Sequence, residues 1–134
     1  MTINESIKHI NLDAEFYTPE KCHIIELYNM TDDPDVSVAR VRVEPGITTR
    51  WHRVVGTVER YIILKGLGRV EVGNLLPQDV KSGDVVVIPR SLRQRITNTG
   101  REDLIFLAVC TPAFRLEAYE DMDDISAIHP GNHA

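Results

Sequence analysis

Turn signals recur so closely along this chain that no long helix fits between them. They stand at "TDDPD" (31–35), "PG" (45–46), Gly56, "GLG" (66–68), "GNLLP" (73–77), "SGD" (82–84), "PRS" (89–91) and "NTGRED" (98–103). Glycine and proline at this density punctuate short elements. Between them lie short runs rich in Val, Ile and Tyr, such as "HIIELYN", "VSVARVRVE", "VERYIILK", "DVVVIP" and "LIFLAVC". Several alternate apolar and polar residues with period two, the signature of half-buried strands. Seven or more short strands without helix-length amphipathic segments predict an all-β sandwich or barrel. Residues 111–126, "TPAFRLEAYEDMDDIS", offer room for one short C-terminal helical segment, and 126–134 read as a flexible tail.

Length and composition narrow the classes of function. A chain of 134 residues is expected to form a single domain, 1–134. A net charge of −5 argues against a nucleic-acid footprint, which needs a basic surface. No apolar run approaches membrane-spanning length, and the first twenty residues lack the basic start and apolar middle of a signal peptide. Cys22 and Cys110 are isolated, which fits reduced thiols in a cytoplasmic protein.

Parity sorts the faces of the strands. In 36–44, Ser37, Ala39, Val41 and Val43 share one face, with Arg40 and Arg42 on the other. In 93–98, Gln94, Ile96 and Asn98 lie together, opposite Arg93 and Arg95. The arginine face reads either as an anion-binding patch or as a solvated or subunit-facing surface. In "RWHRVVGTVERYIILKG" (50–66), Arg50, His52 and Val54 point one way; beyond Gly56, so do Glu59, Tyr61 and Ile63. If these faces turn inward, His52 and Glu59 meet across a hairpin at the barrel's mouth. Outward Val58, Ile62 and Leu64 leave an apolar stripe that suits a homodimer.

Two longer patterns sharpen this reading. The first runs Gly46, five residues, His52, one residue, Val54, four residues, Glu59, six residues, Gly66. The second runs Gly83, five residues, Pro89, then Gln94 and, after three more, Asn98. Together they resemble the two motifs of the cupin family, G-x5-H-x-H-x3–4-E-x6-G and G-x5-P-x-G-x2-H-x3-N. The resemblance spans about 36–110 and implies a double-stranded β-helix, the jelly-roll barrel. In that family two histidines and a glutamate of the first motif and one histidine of the second hold a metal ion. Carried over, these positions are His52, Val54, Glu59 and Gln94, while the second motif's glycine is Ser91. The resemblance therefore implies a reduced ligand set of His52, Glu59 and Gln94.

Fewer nitrogen donors weaken the hold on transition metals. The implied cofactor is a weakly held Mn, Fe, Ni or Zn ion, or none, with Gln94 then bonding directly to Glu59 or His52. The primary expectation is a small-molecule-binding cupin taking a small polar molecule in the barrel mouth. The alternative is an enzyme, either a metal-dependent isomerase, lyase or dioxygenase or a metal-free isomerase or epimerase, with His52 and Glu59 catalytic. Tyr61, Gln94 and Arg50 are the candidate ligand-binding residues, Arg50 as a partner for a carboxylate or phosphate. His9, His129 and His133 read as solvated.

Overall fold

A computed structural model describes residues 3–123. The expected tail at 126–134, with His129 and His133, lies outside the described residues. Eleven strands run through the described residues: β1 (Phe16–Tyr17), β2 (His23–Tyr28), β3 (Ser37–Val43), β4 (His52–Val54), β5 (Val58–Lys65), β6 (Leu67–Val72), β7 (Gln78–Lys81), β8 (Val85–Ile88), β9 (Gln94–Asn98), β10 (Leu104–Thr111) and β11 (Tyr119–Asp121). They form a six-stranded sheet, β1-β2-β3-β10-β5-β8, and a five-stranded sheet, β11-β4-β9-β6-β7, with antiparallel pairing throughout. From β3 onward the chain crosses repeatedly between the two sheets, which is the double-stranded β-helix expected from the motifs. No helix among the described residues is long and apolar enough to cross a membrane.

The alternation read from the sequence is the alternation of burial. On β5, Glu59, Tyr61 and Ile63 are buried between half-buried Val58, Arg60 and Ile62. On β9, Gln94, Ile96 and Asn98 point in, and on β10 Leu104, Phe106, Ala108 and Cys110 do. The inner faces of the two sheets interdigitate through Val41, Val43, Ile63, Val72, Ile96 and Phe106. The core is apolar at its centre, with His52, Glu59 and Gln94 buried toward one end and Asn98 at the other. Val85 and Val87 of β8, at 58% and 59% exposure, and Leu64 at 46%, form an apolar patch at the β5–β8 end of the larger sheet's outer face.

The outward arginines have partners. Glu15 accepts from Arg40 at 3.1 Å and from both Arg42 Nε (3.0 Å) and Arg42 Nη2 (2.6 Å), and Asp103 takes the remaining arm of Arg42. Trp51 faces away from the barrel interior, and its ring lies beneath the guanidinium groups of Arg93 and Arg95, 4.5 and 4.4 Å from the ring centre. Such contacts fix a half-exposed indole without burying a charge.

Two local features hold the barrel's corners. Gly66 takes φ +90° where the chain turns from β5 to β6, and a Cβ there would stand 2.7 Å from the Asp103 carbonyl oxygen. Only glycine meets both demands. Asn98 is 1% exposed; its amide donates to the carbonyls of Val43 and Glu102 at 2.8 Å each, and its oxygen accepts from Gly100 N–H at 2.9 Å.

The closing segment differs from the expected short helix. One turn of 3-10 helix, Leu116–Ala118, is followed by β11, which pairs with β4 in the register Tyr119↔Val54 and Asp121↔His52. Backbone bonds from Val55 to Ala118 and from Met122 to Trp51, both 2.8 Å, extend the pairing. A short helix is marginal alone, whereas the open edge of β4 offers a ready ladder.

Asn98→Ala is expected to lower stability by about 2–4 kcal/mol, because it removes the partner of the buried Val43 carbonyl together with those of the Glu102 carbonyl and the Gly100 N–H. Urea unfolding checks this, and a loss below about 0.5 kcal/mol, the level of an ordinary surface change, would show that the corner does not depend on this amide.

Candidate functional site

The site begins with β4 and β5, whose His52 and Glu59 stand seven positions apart in the sequence. The expectation of a hairpin between them is corrected: β4 belongs to the five-stranded sheet and β5 to the six-stranded one. The turn at Gly56, with φ +77°, carries the chain from one sheet to the other. His52 and Glu59 therefore face the same interior from opposite walls. His52 instead pairs in register with Gln94 of β9.

Gln94, 1% exposed, spans the gap. Its Nε2 donates to Glu59 Oε1 at 2.6 Å, and its Oε1 accepts a hydrogen bond from the Tyr61 hydroxyl. Tyr61 packs its ring on Phe106, centroid to centroid 4.4 Å. Burial raises the Glu59 carboxyl above its usual range, and the nearby charge of Glu20 adds to this; the charge of His52 and hydrogen bonds from Gln94 and Cys110 pull the other way without cancelling it. Burial, followed by the charge of Glu59, holds the Tyr61 phenol well above its ordinary range, so it remains a donor. Cys22 and Cys110 are free and buried, each pushed up to about 12 chiefly by desolvation, which keeps them as thiols.

His52 is 5% exposed and doubly oriented. A carbonyl can only accept, so Nδ1–H donates to the Arg50 carbonyl, at 2.8 Å. The ring stacks on Tyr119 at 5.3 Å and 24°. Nε2 is thereby turned to Glu20 Oε2, 3.8 Å away. Glu20 stands on the turn between β1 and β2, just before Lys21 at φ +72°. Its carboxyl is raised chiefly by burial and next by Asp121, against the pull of His52. Arg50 directs its guanidinium to Asp121 of β11, at 2.7 and 3.3 Å, and so clamps the closing strand over the mouth.

Glu20, His52, Glu59, Tyr61, Tyr119 and Asp121 line one end of a cavity of about 500 Å³ that opens at the barrel mouth, with Gln94 and Arg50 behind them. Elsewhere its wall is largely apolar, with rings from Phe16, Tyr17, Tyr61, Phe106, Phe114 and Tyr119. A concave, mostly apolar space with a few convergent polar groups is the usual form of a small-molecule site.

The profile of the cupin domain family matches residues 39–110, more than half of the chain. The chain is a cupin. A curated relative from Thermotoga maritima, named oxalate-binding protein, is 39% identical over 71 residues, 53% of this chain and 58% of that protein. A solved structure from the same organism, described as a predicted oxalate decarboxylase, superposes with a TM-score of 0.62 at 30% identity, covering 68% of this chain and 80% of that one. The oxalate decarboxylase of Lactobacillus farciminis, solved with formate, reaches a TM-score of 0.70 at 25% identity, covering 87% of this cupin but 36% of that chain. This cupin thus spans little more than half the length of its curated relative.

The ligand set expected from the motifs, His52, Glu59 and Gln94, is brought to one end of the barrel, where the amide is already engaged by its neighbours. Val54 contributes no donor atom. The Gln94 amide spends its oxygen on Tyr61 and its N–H on Glu59. Among the described residues no three His, Cys, Asp or Glu side chains cluster so as to hold a metal ion. Glu20, Tyr119 and Asp121 belong to the site and were missed from the sequence. Glu20 sits in a turn of no distinctive pattern, and the other two lie in the stretch read as helical.

A carboxyl whose folded-state pKa is raised stabilises the fold below its unfolded value, near 4.5, and that contribution is lost as pH climbs through the folded value. Glu59→Gln is therefore expected to be more stable relative to wild type at about pH 8 than at about pH 5. Urea midpoints at the two pH values check this, and a pH-independent difference would mean that Glu59 is ionised in the folded protein throughout.

Proposed function

We propose that this cupin binds a small organic molecule, seating its apolar body among the cavity's rings and its polar head at His52, without a resident transition-metal ion. The observation that carries the reading is the orientation of His52. With Nδ1–H committed to the Arg50 carbonyl, the neutral imidazole presents the Nε2 lone pair to the cavity. Glu59 and Gln94, expected as metal ligands, act in this reading as the floor beneath the ligand, with Tyr61 holding the amide in place. Arg50 acts through Asp121, keeping β11 and the stacked Tyr119 against His52. Relatives named for oxalate support small-molecule binding by the family's barrel mouth, not oxalate as the ligand here.

A second reading is favoured by the pair of His52 Nε2 and Glu20 Oε2, 3.8 Å apart at the cavity wall. A proton acceptor beside a carboxyl whose pKa is raised is the equipment of an isomerase or epimerase that moves a proton on its bound ligand. The expected homodimer belongs to the same proposal: exposed Leu64, Val85 and Val87 form the outer face that a second copy would cover.

Thermal-shift and calorimetric screening with small amines, alcohols, sugars and carboxylic acids is expected to find compounds that stabilise the wild type, with the shift lost in His52→Ala. Elemental analysis of protein purified without chelator or affinity tag is expected to find well under one ion per chain. Compounds that bind His52→Ala equally well, or a stoichiometric ion that leaves on that substitution, would each overturn the corresponding half of the reading. Val87→Glu is expected to shift the protein from dimer to monomer in sedimentation, and an unchanged sedimentation coefficient would remove that face as the interface.

A further inference from the structure

We infer that the head group this cavity selects is a protonated amine; the inference rests on the small-molecule reading above and specifies its ligand. The polar end of the cavity presents acceptors to the space in front of it. In its neutral form His52 carries its proton on Nδ1, against the Arg50 carbonyl, and Nε2 is then the acceptor. Glu20 offers a carboxylate oxygen 3.8 Å from Nε2, a separation too long for a hydrogen bond between the two. A nitrogen placed about 2.9 Å from each would donate to both. A carboxylate placed there would meet two acceptors and supply no proton.

The charge around that point agrees. Among the described residues, neither lysine nor arginine lines the cavity, whereas Glu20, Glu26 and Asp121 do, with Glu59 held by burial toward its neutral form. The guanidinium nearest the mouth in sequence, Arg50, is turned to Asp121. An anion entering this space would approach carboxyl groups with no guanidinium or ammonium group in the wall. A cation would be drawn toward them in a setting of low dielectric.

Ring faces supply the third element. Tyr119 lies against His52 at 5.3 Å, and Tyr17 and Phe16 line the same cavity. Aromatic faces attract an ammonium head and accept an apolar body, so one arrangement suits both halves of an arylalkyl- or alkylamine. The relatives named for oxalate share the barrel, but among the described residues a dicarboxylate finds no lysine or arginine in this wall to meet its charge.

Benzylamine, benzyl alcohol and benzoate provide probes of one apolar body with three head groups, with oxalate as the fourth. Calorimetry on the full chain at neutral pH and moderate salt is expected to rank benzylamine about tenfold tighter than benzyl alcohol, with benzoate and oxalate weaker still. In Glu20→Gln the ratio of amine to alcohol affinity is expected to fall to near one, with circular dichroism confirming the fold. Benzyl alcohol or benzoate binding as tightly as the amine would overturn the inference while leaving the small-molecule reading in place. So would an amine preference that survives Glu20→Gln. Failure of every probe to bind would overturn both.

Discussion

The hydrogen-bonded chain from Tyr61 through Gln94 to Glu59 is the constraint on which the rest of the site depends. It begins on β5, crosses to β9 and returns to β5, so one amide ties the two sheets together at the end of the barrel where the apolar core gives out. A buried carboxyl without compensation is costly. Here the cost is met in two ways, by the amide N–H and by the tendency of the group to stay protonated in a desolvated place. The amide is satisfied at both ends, and fully satisfied networks of this kind rigidify what they join.

That constraint decides what is left to face the cavity. With Gln94 and Glu59 engaged with each other, His52 and Glu20 are the polar groups at the opening. His52 is held by a main-chain carbonyl on one side and by the Tyr119 ring on a face. The ring contact is not available without β11, which Arg50 fixes through Asp121, so the C-terminal strand is part of the site. The sheets meet at the Gln94 bridge, β11 pairs with β4, and the imidazole is left with one direction to point.

Much of this was readable in the amino-acid sequence, and the exceptions have physical causes. Alternation placed Glu59, Tyr61, Gln94 and Asn98 on inner faces, because a two-residue period leaves a buried strand little freedom. Motif spacing placed His52 and Gln94 together, and they are register partners. The hairpin between β4 and β5 was misjudged because a tight turn at Gly56 serves equally well to join strands of one sheet or to pass between two. Residues 111–126 looked helical because "FRLEAYED" carries helix-favouring residues, yet the unpaired edge of β4 outweighs local preference. Glu20 could not be found by pattern at all: it reaches the cavity from an irregular turn, and only tertiary placement brings it beside a histidine 32 positions later.

Valine at position 54 and glutamate at position 20 then belong to one argument. A metal ion in such a barrel would be the largest local charge and would reverse the preference of its surroundings, drawing anions to a mouth lined with carboxyl groups. Where the imidazole has no second imidazole beside it and the amide is turned to its neighbours, the field of the cavity is that of its own side chains, and those are acidic. The scaffold of the oxalate-named relatives can thus be kept while the sign of the preferred ligand changes, since a fold hosts a site without dictating its chemistry. What distinguishes the two outcomes is small in sequence terms, a branched aliphatic side chain in place of a ring nitrogen, and large in electrostatic terms, because it decides whether a net positive centre stands in front of Glu20 or the carboxylate faces the ligand directly.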